Sequence, residues 1–175
     1  MGKLYFLRHG QSVSNVAETF SGLKDDTPLT AKGEEQAVSA GESLKSSGIK
    51  IDRIVASSLA RAQKTAHVVA AAIGFDVSRI ETDPRLAEYD MGELTGKPRT
   101  DVTSAQMTAA EGAEEPYLFM QRVNLALEDL KSSGGNVLVV SHAGVGRIIR
   151  CLKEGLDPAL FYDLPAYPNA TVVSL

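Results

Sequence analysis

The sequence holds a single cysteine, Cys151, in 175 residues. One thiol cannot close an internal disulfide and is a poor nucleus for a metal site, so a disulfide framework and a thiolate centre are both excluded. Long apolar runs are missing too: the longest are a few residues, against the roughly 20 that cross a bilayer. The chain also reaches Arg8 and His9 before a signal sequence could form. The expected compartment is therefore the cytoplasm, with no membrane partner. No block of Lys or Arg is present, and 22 acidic residues outnumber 18 basic ones for a formal charge of -4. That balance argues against a nucleic-acid partner. Histidine is scarce, at three, and no His/Asp/Glu spacing resembles a metal site. Neither metal nor cofactor is expected. The Asn169-Ala170-Thr171 glycosylation pattern means little without a secretory signal.

What is present suits one domain over residues 1–175, since hydrophobic residues at 43% and charged residues at 23% are ordinary for a packed domain of this length. Leu4 to Leu7 and Val137 to Val140 are short continuous apolar runs, and Ile54-Val55 is a shorter one; such runs mark strands buried on both faces. Helical spacing lies between them. Thr30 caps a stripe of Ala37, Ala40, Gly41 and Leu44 that closes near Gly48. Ser58 is placed to cap a second stripe of Ala62, Ala66, Val69, Ala70 and Ile73, stopped by Gly74. Pro116 opens a third with Phe119, Met120, Val123, Leu127 and Leu130, stopped by Gly134-Gly135; Val145, Ile148, Ile149 and Leu152 make a fourth, ended by Gly155. The alternation predicts an α/β fold, a three-layer α/β/α sandwich with a mainly parallel central sheet. Residues 92–115 differ. They are rich in Thr, Ala, Gly and Glu and poor in aliphatics, and Pro98 interrupts any helix there, so they read as a long irregular loop or lid.

Ligands of open α/β sheets gather at the carboxyl ends of the strands. LYFL runs straight into Arg8-His9-Gly10, and VLVV into Ser141-His142-Ala143-Gly144. Two of the three histidines thus hold equivalent positions, each past a buried strand and before a glycine. The Ile54-Val55 strand leads to Ser57-Ser58, with Arg61 in the first turn of the next helix. A cation there opposes the helix dipole unless an anion lies close. A lone histidine beside a strand is usually structural and a lone arginine usually a surface ion pair; their joint placement at matching strand ends is what points to a site. Two arginines, two histidines and helix N-termini make a cage for a tetrahedral dianion. Phosphoryl transfer needs such positioning and charge. It also needs an acceptor, and a neutral imidazole is a competent one, kept unprotonated by flanking cations. One histidine then attacks while the other, protonated, holds an equatorial oxygen.

LRHGQSVSN resembles the opening motif of the histidine phosphatase superfamily, the phosphoglycerate mutase-like proteins. Further landmarks follow in the family's order: Ser21-Gly22, the Pro28-Leu29-Thr30-Ala31-Lys32-Gly33 segment, Ala56-Ser57-Ser58-Leu59-Ala60-Arg61, Leu86-Ala87-Glu88 with Gly92, and Ser141-His142-Ala143-Gly144. The resemblance implies that His9 is the nucleophile that becomes phosphohistidine, that Arg8, Arg61 and His142 form the phosphate pocket, and that Glu88 protonates the leaving oxygen. It places Asn15 on the phosphoryl oxygens, and Ser12, Ser21, Gly22 and Ala143 among the substrate contacts. Gln11 stands where the family commonly has Glu, at a position that is not catalytic there.

Other signals carry less. Gly92-Glu93-Leu94-Thr95-Gly96-Lys97 falls one residue short of a nucleotide P-loop and is followed by Pro98 where a magnesium-binding hydroxyl belongs. His67 reads as structural, and Ser141 lacks the glycines of a nucleophile elbow. The expected function is a phosphomonoester hydrolase acting on a small phosphorylated metabolite. Its rivals are a cofactor-dependent phosphoglycerate mutase, a phosphohistidine-protein phosphatase and a non-catalytic binding member. A mutase must grip a second anionic group away from water. Asp101 to Glu115 contains no Lys or Arg, and Lys97 and Arg99 are the nearby cations; this favours the hydrolase.

Overall fold

The computed structural model describes residues 2–175. Its elements are β1 (Leu4–Arg8), α1 (Val13–Val16), α2 (Ala31–Ser46), β2 (Arg53–Ala56), α3 (Ala60–Ile73), β3 (Glu81–Thr82), α4 (Ser104–Thr108), α5 (Pro116–Ser132), β4 (Val137–Ser141), α6 (Ala143–Glu154) and β5 (Val172–Ser174), with 3-10 turns between several of them. The five strands form one sheet in the order β3-β2-β4-β1-β5. All pairings are parallel except the edge pair β1 and β5.

Both faces of the sheet are covered, and strand alternation divides the core. Phe6, Val55, Val137 and Val139 face α5 and α6, with Phe119, Val123, Ile148 and Phe161. Leu7, Ile54, Leu138 and Val140 face α2 and α3, with Ala37, Ala62, Ala66 and Val69. The small residues of α2 and α3 let these helices approach closely. A Cβ on Gly41 would sit 2.5 Å from the Cβ of Ala72.

The helix starts show where local reading falls short. Thr30 caps α2 by accepting from the Gly33 amide at 3.0 Å, as expected. The cap of α3 is different. Its flanking residue is Leu59, which offers no side-chain bond, and Ser58 is exposed. The acceptor comes instead from a distant loop: the Asp26 carboxylate takes the Ala60 amide proton at 2.8 Å. Gly74 and Gly155 end α3 and α6 in the left-handed conformation that their missing Cβ permits.

Residues 92–115 are more structured than their composition suggests. A 3-10 turn covers Gly92–Leu94, and α4 forms beyond Pro98. Thr103 and Gln106 cap its start reciprocally, and Met107 is fully buried.

Candidate active site

Parallel register builds the site. Arg8 is paired with Ser141 and Ala56 with Val140, so the next residues, His9, His142 and Ser57, emerge side by side at the carboxyl edge. Backbone bonds carry the pairing past the strands, from His9 N to Ser141 O and from Ser57 N to Val140 O, each 2.9 Å. The two imidazole rings lie 5.2 Å apart, both buried. Gly10 is required for this packing, because a Cβ there would sit 2.2 Å from the Gly33 carbonyl oxygen at the start of α2.

Each histidine is oriented by its second nitrogen. The Nδ1 of His9 lies 2.7 Å from the Gly10 carbonyl, which can only accept. The neutral ring therefore carries its proton on Nδ1 and keeps the Nε2 lone pair free. Burial, then Arg61 and Arg8, push the His9 pKa down to about 3. For His142, Nε2 is 2.7 Å from the Ser57 hydroxyl, whose oxygen already accepts from the Leu59 amide at 3.3 Å. Its Nδ1 is buried with no partner. Burial and the nearby Arg61 hold His142 well below the usual imidazole range. This corrects the expectation of a protonated second histidine. With Ser57 donating to Nε2, the neutral ring still bears an Nδ1 proton, and it is a donor without being a cation.

A cavity of about 50 Å³ opens beside His9, where a single water needs about 10–15 Å³, so it has room for more than one water. Arg8, His9, Asn15, Ser21, Gly22, Glu88 and Ala143 all line it. Arg61 and His142 do not. They are fully buried next to His9, outside the open part of the cavity. Arg61 has Nη1 on the Asp25 carbonyl at 3.1 Å and the Asp26 carboxylate at 3.2 Å, and Nη2 on the Gly22 carbonyl at 2.9 Å. Asp26 is thus an anion for Arg61 at the start of α3, so phosphate is not needed to explain the arginine there. Ser12 is fully buried outside the lining, with its hydroxyl on Ser14 at 3.0 Å and its amide on Asn15 Oδ1 at 3.1 Å. It orients Asn15 and does not face the cavity.

Glu88 is held from both sides. Oε1 accepts from the Tyr89 amide at 2.9 Å and Oε2 from the Gly144 amide at 3.1 Å. A Cβ on Gly144 would strike Oε1 at 2.2 Å, so a glycine is needed there. Gln11, the departure from the family pattern, receives the Thr30 hydroxyl at 2.9 Å and lies outside the lining.

Several residues escaped the sequence reading. Arg147 of α6 lines the cavity, with Nε on the Leu164 carbonyl at 2.8 Å and its guanidinium 4.7 Å over Tyr162. Arg99, known from sequence only as a nearby cation, is the one residue of 92–115 in the lining. Among the described residues, Arg8, Arg99 and Arg147 form no ion pair with a carboxylate. Burial lowers the Arg8 pKa to about 10 and that of Arg147 below its usual value. Asn169 donates to the His9 carbonyl at 2.8 Å and to Asn15 Oδ1 at 3.2 Å, leaving the Asn15 amide nitrogen for the cavity. Thr65 links α3 to the site by accepting from Gly10 N at 3.1 Å. His67 is exposed, with Nδ1 2.7 Å from the Gln63 carbonyl.

A family model described as the histidine phosphatase superfamily, branch 1, matches residues 4–175. The chain belongs to this superfamily. One superfamily relative, a probable phosphoglycerate mutase GpmB of an Enterobacter species, is 35% identical over 181 residues, covering 95% of this chain and 78% of that one. Solved superfamily folds align over nearly the whole chain. A mycobacterial glucosyl-3-phosphoglycerate phosphatase complexed with VO3 is 26% identical with a TM-score of 0.83, covering 99% of this chain and 90% of the other. A putative alpha-ribazole-5'-P phosphatase of Escherichia coli K-12 is 25% identical with a TM-score of 0.79, covering 99% and 89%.

Proposed function

We propose that this chain is a phosphomonoester hydrolase that works through a phosphohistidine. His9 Nε2 attacks phosphorus, forming a P–N bond as the ester P–O bond breaks, and Glu88 gives its proton to the departing oxygen. Water then attacks the phosphohistidine, Glu88 takes a proton from it, and the P–N bond breaks to release phosphate. Arg8 stabilises the equatorial oxygens, with Asn15 alongside; His142 lies behind the open cavity, and its unpartnered Nδ1, on a ring 5.2 Å from that of His9, is the buried donor left for a phosphoryl group seated on His9. Arg61 contributes from behind by keeping His9 unprotonated. The observation that carries this reading is His9 itself: its Nδ1 is tied to a carbonyl and its pKa is lowered by burial and two arginines, which favours a free Nε2 lone pair at neutral pH.

Hydrolysis is preferred to mutase action because residues 100–115 supply no cation and Arg99 alone of 92–115 lines the cavity. The mutase reading draws on the curated relatives named probable phosphoglycerate mutase and on Arg99 and Arg147 at the cavity, which suit a second anionic group.

The deciding experiment measures phosphate release from a panel of small phosphomonoesters beside conversion of 3-phosphoglycerate to 2-phosphoglycerate. Fast release with slow conversion is expected, and the reverse overturns the hydrolase. Activity is expected to survive treatment with a chelator, since no step above uses a metal; loss on chelation and recovery with a divalent ion would contradict the scheme.

A further inference from the structure

Arg122 lies on α5 and does not line the cavity, yet three of its guanidinium N–H groups hold the segment that carries Glu88 and the other two hold Glu114. A guanidinium has five N–H groups, and all five find acceptors. Nη1 donates to the carbonyls of Arg85 at 2.7 Å and Ala87 at 2.8 Å. Nη2 donates to the carbonyl of Glu88 itself at 3.1 Å and to Glu114 Oε2 at 2.9 Å, and Nε to Glu114 Oε1 at 2.7 Å. The cation rests 4.6 Å over the Phe119 ring. Glu114 continues the clasp on the other side of Glu88. Its amide donates to the Asp90 carbonyl at 2.9 Å, its carboxylate accepts from the Asp90 amide at 3.3 Å, and its carbonyl accepts the Tyr89 hydroxyl proton.

Residues 87–90 belong to neither sheet nor helix, so no regular ladder fixes the backbone from which the Glu88 side chain projects. Three carbonyls within four residues, taken by one planar fork, do that work instead. We propose that Arg122 is a positioning residue for proton transfer: with Glu114 it clamps residues 85–90 and holds the Glu88 carboxyl on the leaving oxygen. This rests on the reading of Glu88 as proton donor. A carboxyl displaced by about an ångström can lose about 100-fold in rate. An activated aryl leaving group needs no proton, so its transfer to His9 is spared, whereas the later attack of water on the phosphohistidine is common to both esters.

The test compares kcat and KM for glycerol phosphate and p-nitrophenyl phosphate in the wild type, Arg122→Lys, Arg122→Gln and Glu114→Gln, with folding followed by thermal melts. Both Arg122 variants are expected to lose about 10- to 100-fold in kcat/KM on the alkyl ester, which reads the phosphorylation step alone, while kcat/KM on the aryl ester stays within about threefold. Acid-labile labelling of His9 persists. Equal losses in kcat/KM on the two esters reduce the clamp to a folding element and overturn the proposal. Full activity of the lysine variant overturns it too, because lysine keeps the charge without the fork, as does an unchanged glutamine variant. If the Arg122 variants fail to fold, Glu114→Gln is judged by the same criteria. A wild type that neither labels on His9 nor hydrolyses either ester sinks the hydrolase reading. Arg122 variants that behave as wild type, while Glu88→Gln discriminates between the esters, sink the clamp alone.

Discussion

The proposed attack of His9 on phosphorus at neutral pH requires an imidazole kept free of a proton and aimed, and different neighbours of His9 do each. The Gly10 carbonyl sets the tautomer at 2.7 Å, while burial and the Arg61 and Arg8 charges hold the proton off. His9→Ala is accordingly expected to abolish acid-labile phosphate labelling of the protein, which a chase with radiolabelled substrate and acid treatment reads directly. Glu88→Gln is expected to lower kcat/KM on alkyl phosphates by about 100- to 10,000-fold, the usual span for a lost general acid, and that on activated aryl phosphates far less. Equal slowing of both would remove Glu88 from the acid role. His9 was legible because it sits just past a buried strand and before a glycine, whereas Glu88, in an irregular stretch, stood out only through the ordered set of motifs. Arg147 was not: it is flanked by the apolar stripe of α6 and reads as a solvated cation until residues 162–164 fold across it. Ser12 erred the other way, since position in a motif does not tell which way a hydroxyl points.

At the scale of elements, the start of α3 decides how Arg61 is held. Asp26 both caps the helix through Ala60 and pairs with Arg61, two tasks that local sequence assigned to Ser58 and to a bound anion. Asp26→Ala is expected to cost about 1–2 kcal/mol in urea denaturation, the size of a lost N-cap, whereas Ser58→Ala should stay within about 0.5 kcal/mol. A larger effect at Ser58 than at Asp26 would reverse the assignment. The long helices and the three buried strands announced themselves through periodicity. The short edge strands did not, because Glu81–Thr82 are two exposed residues with no pattern and Val172–Ser174 offer only three. α4 was hidden for a similar reason: a five-residue helix with one long apolar side chain, Met107, leaves no stripe to read.

For the whole molecule, two neutral buried histidines make stability depend on pH in a definite direction. The pKa of His9 is lowered from 6.5 to about 3 and that of His142 lies well below 6.5. Between those limits the unfolded chain binds protons that the folded chain refuses. Stability is therefore unaffected by these groups above about pH 7 and falls as pH drops below 6.5, by up to about 1.4 kcal/mol per pH unit for each histidine. Asp52, Asp76 and Asp83 are also held low, but from a usual value of 3.8, so a comparison of pH 7.5 with pH 5 isolates the histidines. Urea midpoints are expected to fall over that interval in the wild type and to fall less in His9→Gln. Identical slopes in the two proteins would show that His9 does not resist protonation.

The bond from Asn169 to the His9 carbonyl spans 160 positions of the chain, and Tyr167 and Ala170 brace Arg8 from the same stretch. Synthesis runs from the amino end, so His9 is made 160 positions before the residue that braces it. A nascent chain emerging from the ribosome can bury much of its sheet while the carboxyl edge beside His9 is still unbraced. A chain that stops short of Tyr167 therefore leaves Arg8 and His9 without these partners, and the pocket beside His9 is completed only when that late stretch folds back.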